Sequence, residues 1–194
     1  GVTHVLRIFS EQESEHFFSD LAKMVAKIPQ PSIERFLEKY SSVQFDELKN
    51  DDTACRAFLF EGNRIWKSID EHIVTIPGYA VKRSPMSQAT KSISNGEPLC
   101  FISGNFFSGK TFFLLELARY FMSRKVYIFP SGIRLTDSQL GVLLEKEDAL
   151  YCFDAKSLNT YQVKKLCDER TLDKIKSKRS SAVIVIEASD APMY

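Results

Sequence analysis

Residues 99–111 read Leu-Cys-Phe-Ile-Ser-Gly-Asn-Phe-Phe-Ser-Gly-Lys-Thr, and this stretch decides the fold. It opens with an apolar run, Leu99 to Ser103, which is typical of a buried strand. Two glycines, Gly104 and Gly109, bound a short loop, and a helical pattern follows from Lys110 to Ser123. The sequence therefore predicts a strand, a tight loop and a helix in direct succession.

The loop matches the pattern GxxxxGK[ST]. Its residues are Gly104, Asn105, Phe106, Phe107, Ser108, Gly109, Lys110 and Thr111. Backbone N–H groups that turn inward form a nest for an anion, and the following helix adds its positive N-terminal end. In such a loop the lysine reaches the β- and γ-phosphates, and the next hydroxyl approaches Mg²⁺. We therefore predict that these residues, with the adjoining Phe112, bind ATP or GTP together with Mg²⁺.

Three more apolar segments predict strands, at Val126 to Phe129, Ala149 to Phe153 and Ala182 to Ala188. Between them, Thr136 to Glu147 and Asn159 to Lys178 have helical patterns long enough for right-handed crossovers. The strands are apolar almost throughout, as expected where helices cover both faces of a parallel sheet. The alternation predicts an α/β domain with a three-layer αβα arrangement.

Acidic side chains follow two of these strands. Asp154 stands after Ala149 to Phe153, where a P-loop protein places the carboxylate that holds the hydration shell of Mg²⁺; a turn cap is the alternative. If the last strand lies between the loop strand and the Asp154 strand, Glu187, Ser189 or Asp190 faces the γ-phosphate as a sensor or water-positioning group. Glu187 is also a rival for the magnesium carboxylate, and a plain polar strand end remains an alternative. The candidate catalytic residues are Lys110, Asp154 and Glu187, and the candidate metal ligands are Thr111 and Asp154.

The pattern changes before Pro77, near which we place a domain boundary. The preceding segment predicts a strand and two helices, at Val2 to Phe9, Ser10 to Ile28 and Ser32 to Tyr40. A polar stretch, Lys82 to Glu97, leads into the loop strand. We therefore predict a smaller, mostly helical α+β segment at residues 1–77 and the nucleotide-binding domain at residues 78–194.

Composition excludes several classes of protein. With 26 basic and 25 acidic residues, the chain has no electrostatic reason to bind nucleic acid or an anionic membrane. No apolar run approaches the roughly 20 residues of a membrane span and no signal peptide opens the chain, so we expect a cytoplasmic location. Four widely spaced cysteines without a CxxC pair predict buried thiols rather than zinc ligands or disulfides.

The order of these motifs resembles the additional-strand P-loop ATPases, the division that contains the AAA+ proteins and the STAND signalling ATPases, over about Arg83 to Asp190. On this resemblance, Gly104 to Thr111 is similar to Walker A, Asp154 to Walker B, and Ser189 or its neighbours to the sensor-one position. Arg83 resembles the arginine that opens many STAND domains and approaches the nucleotide.

Two departures from that division affect what the resemblance implies. Ala155 follows Asp154 where the family usually places an acidic residue that polarises the attacking water, so slow hydrolysis is expected. The chain also stops soon after the fourth strand, without the fifth strand, helical lid, second sensor or arginine finger. The expectation is a fragment of a larger multidomain protein, in which residues 1–77 are the end of an effector or sensor domain plus a linker.

The resemblance implies an ATP-binding regulatory switch of a signalling or defence protein that forms homo-oligomers through this domain and answers an unknown trigger or effector partner. The first alternative is an AAA+-like motor that remodels protein or nucleic acid, which needs efficient hydrolysis. A kinase or transferase needs a mobile lid, and none is recognisable. An interaction module with a decayed loop is disfavoured because Lys110 and Thr111 are intact.

Overall fold

The structure, a computed structural model, describes residues 16–20, 32–41, 44–48, 66–68, 73–77, 84–106 and 108–188. The chain divides into two compact units, Gly1–Ser32 and Ile33–Tyr194. In the first unit residues 16–20 are helical, in agreement with part of the predicted helix Ser10 to Ile28. The rest of that helix and the predicted strand Val2 to Phe9 lie outside the described residues. The predicted boundary near Pro77 stays a prediction.

The second unit contains both helices and strands. Its helices are α1 (Ile33–Lys39), α2 (Pro85–Ser94), α3 (Lys110–Tyr120), α4 (Asp137–Leu143), α5 (Thr160–Leu166) and α6 (Glu169–Ser177). Its strands are β1 (Gln44–Leu48), β2 (Trp66–Ser68), β3 (Ile73–Pro77), β4 (Leu99–Gly104), β5 (Lys125–Phe129), β6 (Ala149–Phe153) and β7 (Ser181–Glu187). The fold class is therefore α/β, as predicted.

The larger sheet has four parallel strands in the order β4-β7-β6-β5. The last strand of the chain lies between the loop strand β4 and the Asp154 strand β6, and this confirms the predicted strand order. The register pairs Leu99 with Ala182 and continues to Gly104 paired with Glu187. In the smaller sheet, of order β1-β3-β2, β1 is parallel to β3 and β2 is antiparallel to it.

Successive residues of the central strands enter two separate cores. Leu150 and Cys152 of β6 pack in the core that contains the buried residues of α2 and α3. Tyr151 and Phe153 pack in the core that contains those of α1, α4, α5 and α6. Helices thus cover both faces of the sheet, an arrangement compatible with three αβα layers. β4 is an edge strand of this sheet, and its residue Phe101 is 38% exposed.

Two predicted segments differ in the structure. The polar stretch Lys82 to Glu97 contains helix α2 instead of serving only as a connection. Pro85 lies in the first turn of α2. Ala89 and Ile93, four residues apart, are buried and form a narrow apolar stripe on an otherwise polar helix. The helical pattern Asn159 to Lys178 divides into α5 and α6, because Asp168 has an extended backbone and starts a new helix.

Cys152 is a buried free thiol, as predicted, whereas the free thiols Cys100 and Cys167 are only partly buried. Cys55 lies outside the described residues. Within the described parts of the chain, no helix has the length and apolar character needed to cross a bilayer.

The loop that follows β6 is fixed by a buried glutamine. The side chain of Gln162, at 2% exposure, accepts a hydrogen bond from the Asn159 N–H at 3.0 Å and donates to the Leu135 carbonyl oxygen and to Asp137 Oδ1, each at 2.9 Å. In the same loop Ser157 Oγ donates to the Asp154 carbonyl oxygen at 2.7 Å. These bonds tie the segment after Asp154 to the segment before α4.

We expect Gln162→Ala to lower the free energy of unfolding by about 2–3 kcal/mol, because it leaves a buried carbonyl and a helix-cap N–H without partners. Gln139→Ala is the matched control: Gln139 has the same capping position on α4, where it accepts from the Thr136 N–H at 2.8 Å. Its loss should cost about 0.5–1 kcal/mol. Urea unfolding of both variants measures the difference, and equal losses would contradict the role assigned to Gln162.

Candidate functional site

The loop between β4 and α3 turns tightly. The Ser108 N–H donates to the Asn105 carbonyl oxygen at 3.2 Å. Gly109, the N-cap of α3, has φ of 74°, a left-handed conformation that glycine adopts without steric cost. A Cβ added at Gly104 would lie 2.6 Å from Ser108 Oγ, so a larger residue there would force the serine side chain to move. Local backbone geometry therefore explains why glycine occupies both of these motif positions.

Lys110 is buried, at 8% exposure, and its ammonium has three protein acceptors. Its Nζ donates to the Gly104 carbonyl oxygen at 3.0 Å, to the Asn105 carbonyl oxygen at 2.6 Å and to Glu187 Oε2 at 3.0 Å. Because an ammonium group has three N–H donors, these contacts satisfy it completely. The cation is therefore held inside the curve of the loop and paired with the end of β7.

Thr111 and Asp154 form the second contact of the site. Thr111 Oγ1 lies 3.1 Å from each carboxylate oxygen of Asp154 and can donate to one of them at a time. The Ala155 N–H donates to Asp154 Oδ1 at 2.8 Å. Burial raises the pKa of Asp154, whereas the hydrogen bonds from Ala155, Thr111 and the Ser131 backbone act in the opposite direction.

Strand order explains why these four side chains meet. The carboxyl ends of β4, β7 and β6 lie next to one another, and Gly104 and Glu187 are register partners. The Ala188 N–H donates to the Gly104 carbonyl oxygen at 3.1 Å, and the Asp154 N–H donates to the Phe129 carbonyl oxygen at 3.0 Å. The loop and both acidic strand ends therefore share one edge of the sheet, where ligands bind in open α/β sheets.

The oxygen atoms of Thr111 and Asp154 suit a hard divalent cation. Among the described residues, no group of three or more His, Cys, Asp or Glu side chains could hold a metal ion. Mg²⁺ in nucleotide sites needs no such group, because it keeps several waters and binds one or two protein ligands plus phosphate oxygens. A hydroxyl and a carboxylate within 3.1 Å of each other fit that small donor set.

Two cavities include residues of the site in their lining. One, of about 390 Å³, lies between α2 and β4 and reaches Gly104, Ser108 and Lys110. Phe101 and Phe113 contribute to its apolar wall, and its remaining polar lining includes Gln88 and Ser92. The other, of about 290 Å³, lies at the carboxyl ends of β6 and β7 and reaches Asp154 and Glu187.

The structure brings most of the predicted site residues together. The residues that share this edge are Gly104, Asn105, Ser108, Gly109, Lys110, Thr111, Asp154 and Glu187. Phe106 is 69% exposed, and Phe112 is partly buried and packs against the core of α2 and α3. Four further residues named as site candidates lie outside the described residues: Arg83, Phe107, Ser189 and Asp190.

The sequence did not predict the residues that hold Asp154 and the loop after it in position. The backbone of Ser131, on the loop after β5, hydrogen-bonds its carboxylate. Ser157 and Gln162 hold the loop that follows it. Asn159 and Gln162 stand at capping-box spacing, so this one signal was readable in the sequence. The Ser131 contact is made by the backbone and leaves no sequence signal.

This chain matches no protein-family model, no curated protein and no solved structure. What can be said of the site therefore comes from its own residues and their geometry.

The raised pKa of Asp154 predicts a pH-dependent stability difference between the wild-type chain and Asp154→Asn. Below the unfolded pKa of about 3.9 the aspartate is neutral in both states. As pH rises through the higher folded pKa, the buried carboxylate ionises at a cost in folding free energy, so the wild type loses stability. Each tenfold difference between the folded and unfolded acid dissociation constants corresponds to about 1.4 kcal/mol. Measured without Mg²⁺ between pH 4 and 7, the unfolding free energy of Asp154→Asn should rise relative to wild type.

The control is Asp173→Asn, which makes the same change of charge at an exposed position on α6. Its stability difference from the wild type should change less over this pH range. A difference for Asp154→Asn that stays flat or falls as pH rises would show that its carboxylate is not penalised by burial.

Proposed function

We propose that residues 104–111 are a P-loop that binds the triphosphate of ATP with Mg²⁺, and that the chain is the ATP-binding regulatory switch of a STAND-like signalling or defence protein. The observation that carries the proposal is the meeting of Lys110 and Thr111 with Asp154 and Glu187 at one sheet edge. A connecting loop with no ligand has no need of a buried cation and two carboxylates at its mouth.

The contacts of Lys110 support a phosphate ligand. Its three acceptors are two carbonyl oxygens and one carboxylate. Phosphate oxygens can replace all three, and as charged acceptors they bind an ammonium more strongly than neutral carbonyls do. The left-handed Gly109 lets the chain enter α3 directly from the loop, where the positive helix end favours an anion. We assign to Lys110 the binding of the β- and γ-phosphates.

Thr111 and Asp154 would hold Mg²⁺ in this proposal. When bound, Mg²⁺ bridges β- and γ-phosphate oxygens and offsets the charge that develops on them. The residues themselves already have the required relation, because the threonine hydroxyl donates to the aspartate. A cation at this position would also favour the ionised form of Asp154, whose burial otherwise raises its pKa.

The cavity between α2 and β4 is our candidate for the nucleoside. Its volume of about 390 Å³ is within the range of ligand sites, and it is continuous with the loop through Gly104 and Lys110. Phe101, which is 38% exposed, offers an aromatic face for the base.

Slow hydrolysis follows from the residues around Asp154. Ala155 provides no carboxylate next to the proposed magnesium ligand. Glu187, the other candidate for positioning water, lies at the end of the neighbouring strand β7 and not next to Asp154 in the sequence. A long-lived ATP state suits a switch, in which the γ-phosphate and Mg²⁺ hold one arrangement that hydrolysis or exchange releases. The proposal includes a cytoplasmic location and assembly of homo-oligomers in response to a trigger.

Calorimetric titration with Mg·ATP, Mg·GTP and Mg·ADP tests the site. We expect Lys110→Ala to weaken Mg·ATP binding at least about 100-fold, because it removes the buried cation that pairs with two phosphates. Lys91→Ala, an exposed lysine on α2, is the control and should bind as the wild type does. Unchanged Mg·ATP affinity in Lys110→Ala would refute the assignment.

Phosphate release measured on the same samples separates the switch from the motor. The ion pair of Glu187 with Lys110 is the observation that favours the motor alternative, since it places a second carboxylate beside the proposed γ-phosphate position. Tight binding with little turnover supports the switch. Rapid turnover that Glu187→Gln removes would favour a motor ATPase.

A further inference from the structure

The cavity at the carboxyl ends of β6 and β7 is larger than the proposed chemistry requires. Its volume of about 290 Å³ equals the space of about ten waters at about 30 Å³ each, which is more than the several waters that Mg²⁺ keeps and the one that attacks. Part of its lining is apolar: Leu158, Val163, Ile184 and Ile186. A site that holds only water has no need of four aliphatic side chains, so its lining suits an organic body.

Two basic side chains also line this cavity, Arg134 and Lys156. Both are exposed, and neither has a hydrogen bond or an ion pair with any residue in the described part of the chain. The two carboxylates of the lining already have partners, because Asp154 accepts from Thr111 and Ala155, and Glu187 pairs with Lys110. Because Lys110 balances Glu187, the two cations Arg134 and Lys156 outnumber the remaining carboxylate, Asp154, and the net charge is positive.

The backbone that carries the basic side chains of the cavity is held in place by the fold. Lys156 has φ of 64°, a left-handed conformation that is unfavourable for a lysine and that persists only when its surroundings fix it. The surroundings here are the bond from Ser157 Oγ to the Asp154 carbonyl oxygen and the bond from the Leu135 N–H to the Ser157 carbonyl oxygen, at 2.7 and 3.3 Å. The second bond joins the segment of Arg134 to that of Lys156.

From these observations we propose that the cavity binds a small organic anion, with its apolar body against Val163 and Ile184 and its acidic group facing Arg134 and Lys156. Pockets of this kind combine an apolar lining with a few charged groups that fix orientation. A volume of about 290 Å³ fits a small metabolite and not a folded partner. The cavity is separate from the one assigned to the nucleoside, and the anion site does not require a bound nucleotide.

The position of this site also defines how it would act. A ligand in the cavity touches Asp154 and Glu187, the carboxylates that hold Thr111 and Lys110. Its binding therefore changes the environment of the two P-loop side chains directly. The inference that the anion changes ATP affinity rests on the proposed function. The inference that the anion binds in this cavity does not.

Titration of the full chain without nucleotide, followed by methyl NMR, tests the anion site. The probe is benzoate, which carries a carboxylate on an apolar ring. The control ligand is benzamide, which has the same ring and no charge. Benzoate should shift the methyl signals of Leu158, Val163 and Ile184 more than benzamide does. The double variant Arg134→Gln/Lys156→Gln should weaken benzoate binding about fivefold, because it removes the unpaired charge and keeps both aliphatic stems.

Lys164→Gln/Lys165→Gln is the control, since it removes two exposed charges from α5 outside the cavity lining. Benzoate that shifts none of these methyl signals, or that binds the Arg134/Lys156 double variant as it binds wild type, overturns the proposal. Calorimetric titration of Mg·ATP with and without benzoate then tests whether the anion changes ATP affinity. If ATP does not bind, the proposed function fails, but the measured binding of benzoate still supports the anion site.

Discussion

The position of β7 between β4 and β6 is the constraint on which the site depends. It brings Glu187 to the loop lysine and leaves Asp154 one strand further along, opposite Thr111. A crossover that placed β7 at the outer side of β4 would separate these contacts. The apolar residues Val183 and Val185 on one face of β7, and Ala182 and Ile184 on the other, suit a strand covered by helices on both sides. The packing of those residues therefore fixes the position of Glu187 at the end of β7.

The charged groups at this edge are stable where they are because each has a partner. Lys110 and Asp154 are buried, and a buried charge without a partner would cost several kcal/mol. The protein meets this requirement with its own atoms, through loop carbonyls, Glu187 and backbone N–H groups. A phosphate and a cation would exchange those partners instead of filling bare positions. Such an exchange between two satisfied states is what a two-state switch needs.

Much of the larger sheet could be predicted because its signals are local. The apolar runs at Ala149 to Phe153 and Ser181 to Glu187 are readily predicted as buried strands. The pattern GxxxxGK[ST] predicts the loop between β4 and α3. The contact between Lys110 and Glu187 could be anticipated from strand order, although the residues are 77 positions apart. Helix α2 could not, because only one narrow face of it is buried and its serines and lysine resemble a linker.

The features that were missed depend on tertiary structure. Arg134 and Lys156 lie in polar loops with nothing in the sequence to pair them, and tertiary hydrogen bonds such as that between Leu135 and Ser157 join their segments. The Ser131 contact to Asp154 uses the backbone, so any residue at that position could make it. The smaller sheet joins β1 to β3 in parallel across a long separation in sequence, which short-range periodicity does not encode.

The central claim is that Lys110 exchanges its protein acceptors for the phosphates of a nucleotide. The most direct measurement is a crystal structure of the chain with Mg²⁺ and a non-hydrolysable ATP analogue. Our account predicts the triphosphate within residues 104–111, Lys110 Nζ moved from Asn105 and Glu187 to β- and γ-phosphate oxygens, and Thr111 beside the metal. A triphosphate bound elsewhere, or a Lys110 that keeps all three protein partners while nucleotide is bound, would contradict it.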